Sequence, residues 1–274
     1  MGPVSKYISR RYRATKNFAK SPSDGRLLLY QMGKVGSTAL AETLLECGKW
    51  VLHVHSLNAA TLGGDLRGGI KANETPAPST VDGFVLARIL PKLVDELRVI
   101  TLIRDPVARD LSQFFQSLSQ TEAGNRLLAA GDYAAIRAEY LVNNTLDYTL
   151  GWFDFELSRF LGIDIYALPF DPEKGTAVYR KSNINLILLK SEIDTQAKAL
   201  ALSRWLEIDS LSIQSSNVSK DKTYGDVYRR LVTEVQLPNW LVEKATDSRF
   251  TRHFYSEQER NAMVLRWTRG ANER

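Results

Sequence analysis

A glycine-rich turn follows the first strongly apolar run of the 274-residue chain. Residues 27–31 read Leu-Leu-Leu-Tyr-Gln, the pattern of a buried strand, and Gly33-Lys34-Val35-Gly36-Ser37-Thr38 comes directly after them. The glycines permit a tight turn, Lys34 adds a full positive charge, and the two hydroxyl residues lie where the next helix should begin. Because a helix N-terminus presents unpaired N–H groups and the positive end of its dipole, this segment predicts an anion-binding loop.

A second candidate anion site begins with Arg104, which directly follows the apolar run of residues 98–103. Ser112 lies eight positions later, on the helix predicted for residues 106–119. Arginine offers a planar fork that suits phosphate, and serine offers a neutral donor. Ligands collect at the carboxyl ends of parallel strands, where both loops are expected. The alternative is that Arg104 pairs with a nearby carboxylate and Ser112 faces solvent; Arg109 is either a helper or a helix-surface charge.

The first loop differs from the nucleotide-binding pattern GxxxxGK[ST], in which the lysine follows the second glycine. Here Lys34 precedes Gly36, and no clear acidic metal ligand follows a strand. The order Lys34-x-Gly36-Ser37-Thr38 instead resembles the 5′-phosphosulfate loop of sulfotransferases that use 3′-phosphoadenosine-5′-phosphosulfate (PAPS). Arg104 and Ser112 resemble the 3′-phosphate motif of the same family.

This resemblance implies a reaction in which a sulfuryl group moves from PAPS to an acceptor hydroxyl or amine, with release of adenosine 3′,5′-bisphosphate and no required metal. It assigns Lys34 a catalytic role in stabilising charge on the transferred group. In such enzymes a late basic loop often closes over the nucleotide, so Lys220 and Lys222 are predicted 3′-phosphate contacts. The alternative for these two lysines is a solvated turn.

His55 is the predicted general base, because it ends the strand predicted for residues 50–55 and sulfotransferases commonly use His or Glu at that edge. His53 should point to the same face of the sheet but lie deeper in the strand. Glu192 is a further candidate, or an acid that stabilises a helix N-terminus. The sequence leaves the choice among these three open.

A second resemblance lies in the C-terminal two-thirds of the chain. Its residues are Trp152-Phe153-Asp154-x-Glu156, the run 161–166, Pro169-Phe170-Asp171, Leu188-Leu189-Lys190-x-Glu192 and the run 248–256. These segments are similar to the capsular polysaccharide synthesis proteins, a sulfotransferase-like group, with an expected extent of residues 26–267. The likeness implies a carbohydrate or glycolipid acceptor, and a small hydroxylated metabolite stays open.

Strands that alternate with helices predict an α/β fold, a three-layer sandwich with a mostly parallel central sheet. The resemblance implies the sulfotransferase version of the P-loop NTPase fold. Residues 1–24 are predicted as a basic, solvated arm and residues 25–274 as a single sulfotransferase-like domain. Residues 57–80, rich in Gly, Pro, Thr and Asn, are predicted as a long loop and a candidate acceptor lid.

Composition narrows the remaining classes of function. The formal charge is +5 and Cys47 is the sole cysteine, so neither an intrachain disulfide nor a cysteine-based zinc site can form. With no secretory signal and no apolar run long enough to span a bilayer, we expect a cytoplasmic protein without a nucleic-acid partner. The alternatives are a P-loop-type nucleotide kinase or NTPase, and a catalytically inactive binding protein with the same fold.

Overall fold

The computed structural model describes residues 2–213 and 225–269. The chain divides into two compact units. The first comprises Met1–Ile103, Phe153–Leu168 and Thr176–Gln214, and the second comprises Arg104–Trp152, Pro169–Gly175 and Ser215–Arg274. The prediction that residues 25–274 form a single domain stays a prediction.

The first unit holds a five-stranded sheet, which confirms the α/β class with a mostly parallel sheet. Its strands are β1 (Arg26–Tyr30), β2 (Trp50–Val54), β3 (Leu97–Ile103), β4 (Thr176–Lys181) and β5 (Ile184–Lys190). Their order is β2-β1-β3-β5-β4, and only the edge strand β4 runs antiparallel to its neighbour. All five residues of β1 are buried, as expected for a parallel strand covered on both faces.

Helices make up most of the remaining described chain. In chain order they are α1 (Pro3–Lys20), α2 (Ser37–Glu46), α3 (Ala59–Ala72), α4 (Pro78–Ile89), α5 (Pro106–Leu118), α6 (Glu122–Ala130), α7 (Tyr133–Asn143), α8 (Asp147–Trp152), α9 (Arg159–Leu161), α10 (Thr195–Leu206), α11 (Gly225–Glu234), α12 (Asn239–Thr246), α13 (Arg249–Phe254) and α14 (Glu257–Arg269). Leu90–Lys92 and Ile165–Ala167 form 3₁₀ turns, and Phe153–Ser158 forms a π-helix.

The predicted loop over residues 57–80 is wrong, because most of this segment is helical. The Asn58 side chain accepts a hydrogen bond from the Thr61 backbone and caps α3, which buries Leu62 and Leu66. Glycine also brings α3 close to α4, since a Cβ on Gly63 would lie 2.9 Å from Cε2 of Phe84. Gly63, one of the glycines that indicated a loop, therefore serves helix packing instead.

The N-terminal segment is a packed helix rather than the predicted solvated arm. Helix α1 contacts α4 and buries Val4, Thr15 and Phe18. Arg11 forms a bidentate ion pair with the buried carboxylate of Asp82, which also accepts a hydrogen bond from Thr15 at 2.9 Å. Burial raises the pKa of Asp82, and the contacts with Arg11 oppose that rise.

Candidate active site

The first predicted anion loop joins β1 to α2 in the first unit. Lys34 has a φ of 71° and Gly36 a φ of 81°, so both adopt the left-handed conformation. Gly36 occupies the N-cap of α2 and makes no side-chain cap to the first amides of that helix. The Lys34 side chain is half-buried, and Thr38 is exposed. A lysine and a helix N-terminus thus share one tight turn, an arrangement suited to an anion.

A side chain beyond β5 anchors this loop from the sheet. The Ser191 hydroxyl donates a hydrogen bond of 2.6 Å to the carbonyl of Val35, whose side chain is buried. The carbonyl of Ser191 in turn accepts a hydrogen bond of 2.7 Å from Lys198 Nζ. Burial lowers the pKa of Lys198, while Glu192 and Asp194 act in the opposite direction. This contact could not be predicted from local residue patterns, because the two segments lie far apart along the chain.

A buried polar network holds the first residue of α2. Gln31 Nε2 donates to Ser37 Oγ at 2.8 Å and lies 2.8 Å from His53 Nε2, which is also 3.1 Å from Ser37 Oγ. Because an amide nitrogen can only donate, His53 Nε2 accepts and the ring is neutral. Burial, followed by the charge of His55, lowers the pKa of His53 to about 4. His53 is therefore hydrogen-bonded to the predicted anion loop through Ser37. Nothing in the sequence indicated that Gln31 would take part in this network.

His55 lies one residue beyond β2, and its ring is held in a defined tautomer. Its Nδ1 is 3.0 Å from the carbonyl oxygen of Gln31. Since a carbonyl only accepts, Nδ1 carries the proton and Nε2 is the basic nitrogen. The ring packs edge-on against His53 with centroids 4.8 Å apart. The choice of His55, His53 or Glu192 as general base stays a prediction; both histidines are half-buried, and Glu192 is exposed.

Glu156 fixes the segment that follows His55, and it lies in the π-helix Phe153–Ser158. Its buried carboxylate accepts hydrogen bonds from Tyr30 at 2.6 Å, from the Ser56 hydroxyl at 2.6 Å and from the Leu57 amide at 2.8 Å. These bonds connect the ends of β1 and β2. The sequence showed Glu156 only as part of a family-like motif, because a π-helix cannot be distinguished from an α-helix by hydrophobic periodicity.

The second predicted anion site lies in the second unit, at the start of α5. Asp105 caps this helix by accepting from the amides of Val107 and Ala108, and its other oxygen accepts from Trp267 Nε1 at 2.9 Å. Arg104, next to this cap, is half-buried, as is Ser112. The α5 N-terminus is thus already satisfied in part by a carboxylate, so an anion there would depend mainly on side chains.

Arg109 is buried, which excludes the reading of a helix-surface charge. It pairs with Asp110 at 3.6 Å, donates to the Thr149 hydroxyl at 3.1 Å and lies over the ring of Tyr148. Burial lowers its pKa, and the nearby charge of Arg104 lowers it further against the effect of Asp110. Arg109 is therefore held inside this unit with its charge paired to Asp110.

Two predicted contacts of the 3′-phosphate, Lys220 and Lys222, lie outside the described residues. Trp152 and Phe153 of the family-like motif are buried, so they do not present a surface to an acceptor. Within residues 2–213 and 225–269 no group of three or more His, Cys, Asp or Glu side chains is arranged to hold a metal ion. No helix in that part of the chain is long and apolar enough to cross a membrane.

Residues 134–256 match the family model described as "Putative capsular polysaccharide synthesis protein". The match confirms the expected likeness over this segment, which is shorter than the predicted 26–267 and includes neither the β1–α2 loop nor Arg104. Comparison with curated proteins and with solved structures gave no match.

Proposed function

We propose that this protein is a PAPS-dependent sulfotransferase that transfers a sulfuryl group to a hydroxyl or amine of a carbohydrate-type acceptor. The observation that carries the proposal is the β1–α2 loop, in which Lys34 and the uncapped start of α2 share a turn beside an oriented histidine pair.

The residues of the loop fit the phosphosulfate end of PAPS. Gly33, Lys34, Val35 and Gly36 form the turn, and Ser37 and Thr38 begin the helix whose dipole favours negative charge. PAPS supplies the sulfuryl group when it is bound. Lys34 and the loop amides would stabilise the negative charge that develops on the transferred and leaving oxygens. The network of Gln31, His53 and Ser37 holds the start of α2 in place for that task.

His55 is assigned as the base that accepts the proton of the acceptor hydroxyl. The hydrogen bond from Nδ1 to the Gln31 carbonyl leaves Nε2 as the basic nitrogen and would stabilise the imidazolium once the proton has moved. Glu156 holds Ser56 and Leu57, the two residues after His55, and so limits the movement of the ring.

Arg104 and Ser112 stay predicted contacts of the 3′-phosphate, and Lys220 and Lys222 stay predictions outside the described chain. The support for Arg104 is that it is half-buried directly before α5 and offers the planar guanidinium that suits a phosphate. The family match supports a carbohydrate acceptor through its printed description alone.

Transfer of radiolabelled sulfate from PAPS to a panel of oligosaccharides, glycolipids and small alcohols tests the proposal. We expect one acceptor class to be labelled by the wild-type protein. With that acceptor, His55→Ala should lower the single-turnover rate by about 10²–10⁴-fold. His253→Ala, a histidine packed against Phe254 in the second unit, is the matched control and should retain the rate. Labelling that is equal with His55→Ala would exclude the proposed base.

A further inference from the structure

Helix α1 carries a concentrated positive charge that the proposed reaction does not use. Five of its side chains are exposed cations, namely Lys6, Arg10, Arg13, Lys16 and Lys20. The helix contains no Asp or Glu. At 100° per residue these five positions lie within an arc of roughly 120°, along about 21 Å of the helix axis. We refer to these five residues as the basic stripe.

The opposite face of α1 is fixed to the body of the first unit. Val4, Thr15 and Phe18 are buried there, and the Phe18 ring packs edge-on against Trp50. Arg11, which lies on that face, is paired with Asp82 and is not part of the basic stripe. The stripe is therefore presented on a packed helix, so that its backbone need not be ordered when a partner binds.

Two tyrosines flank the basic stripe. The Arg10 guanidinium lies 5.8 Å from the ring centroid of Tyr7, and Lys16 Nζ lies 4.8 Å from that of Tyr12. Tyr12 is 42% exposed. Tyrosine is enriched at the level of lipid headgroups, where an apolar ring and a polar hydroxyl are both accommodated.

We propose that the basic stripe docks the protein on the surface of a bilayer that contains anionic lipids. A straight row of cations on one side of a helix matches a planar array of negative headgroups, and clusters of four to eight Lys or Arg on such a helix bind anionic membranes. The proposed contact is peripheral and electrostatic, with α1 lying along the surface. Acceptors carried on lipids would then be brought near the protein.

Sedimentation of the full-length protein with vesicles tests this inference. Phosphatidylcholine vesicles are compared with vesicles in which a third of the lipid is phosphatidylglycerol. We expect binding to the anionic vesicles only, and its loss as salt is raised. Arg10→Gln with Arg13→Gln should weaken binding by about fivefold per cation removed. Both positions are exposed, so the thermal unfolding midpoint should be unchanged.

The matched control is Arg67→Gln with Arg204→Gln, which removes the same charge from exposed positions of α3 and α10. It should bind nearly as the wild type does. Equal binding of the two double variants, binding to neutral vesicles, or no binding at all would overturn the inference. Tighter binding to heparin or to duplex DNA than to the anionic vesicles would also overturn it and assign the stripe to a polyanionic chain. None of these results depends on PAPS, so the proposed function is tested separately.

Discussion

The two histidines of the β2 end differ in environment although they are two residues apart. His53 is held by Gln31 and Ser37 inside the unit, whereas His55 makes a hydrogen bond that orients its basic nitrogen. Alternation along a strand predicts that both side chains share one face of the sheet. Alternation does not predict which of the two rings contacts the side chains of Gln31 and Ser37, because that depends on the position of Gln31 at the end of the neighbouring strand.

The depressed pKa of His53 predicts a pH-dependent stability. The ring is neutral in the folded protein down to about pH 4, but in the unfolded chain it binds a proton near pH 6.5. Stability from this group is therefore fully present above pH 6.5 and is lost as the pH falls toward 4, by at most about 3 kcal/mol. Urea unfolding of the wild type and of His53→Gln at both pH values measures the difference.

The Gln side chain can keep a contact to Gln31 without a titrating group, so His53→Gln should lose most of the acid sensitivity. His55→Gln is the control and should retain it, since burial rather than the charge of His55 is the larger cause of the shift. An acid sensitivity that is the same in wild type and His53→Gln would contradict the assignment.

Glu156 is predicted to contribute strongly to stability. Glu156→Ala would leave the buried donors of Tyr30 and Leu57 and the half-buried hydroxyl of Ser56 without their acceptor, at a cost of about 3 kcal/mol or more. The same substitution at Glu42, an exposed residue of α2, should change stability by less than about 0.5 kcal/mol. Chemical denaturation of both variants measures their losses in the free energy of unfolding. Equal losses would mean that the three hydrogen bonds to Glu156 do not stabilise the protein.

At the scale of elements, α4 passes so close to the end of β2 that position 83 has room only for glycine. A Cβ on Gly83 would overlap the backbone carbonyl of Ser56, the residue after His55. Gly83→Ala should therefore destabilise the protein by about 2 kcal/mol or more and displace the His55 segment. Gly64→Ala, where a Cβ would meet open space in α3, should instead stabilise it by about 0.5–1 kcal/mol.

Thermal unfolding of the two glycine variants, with the His55 ring signals followed by NMR, tests this constraint. Gly83→Ala should shift those signals and Gly64→Ala should leave them in place. If the two variants have the same stability and the same spectra, the contact between α4 and Ser56 does not position the histidine.

The strands were predictable because a buried parallel strand is a short, continuous apolar run with turn residues at its ends. The predicted runs 27–31 and 98–103 lie within about a residue of β1 and β3, and the apolar run 185–189 lies inside β5. Helices α3 and α1 were not predictable in the same way. Glycine lowers the intrinsic helix propensity of α3, and the packing of α3 against α4 compensates for this loss. Helix α1 forms in place of the predicted solvated arm because Phe18 packs against Trp50 and Arg11 pairs with Asp82, both far along the chain.

The candidate site was predictable only where its residues are adjacent in the sequence. Its local component, the turn from β1 into α2, is visible as adjacent residue types. Gln31, Ser191 and Glu156 act through contacts between distant segments, and ordinary polar residues at such positions carry no local signal. The helical stretch of residues 147–161 also contains the π-helix that places Glu156, which periodicity alone does not reveal.

At the scale of the whole molecule, the account depends on the chain binding a nucleotide with phosphate groups at both the 3′ and 5′ positions. The net charge of +5 is compatible with such a ligand but does not select it. Calorimetric titration with adenosine 3′,5′-bisphosphate, and with ATP and Mg²⁺ for comparison, measures the claim directly.

We predict a dissociation constant in the micromolar range for the bisphosphate, about −8 kcal/mol, and much weaker binding of ATP. Arg104→Ala should remove most of this affinity, and Arg126→Ala, at an exposed position of α6, should retain it. No binding of the bisphosphate to a folded sample, or tighter binding of ATP with Mg²⁺, would contradict the account and favour an inactive relative or a nucleotide kinase.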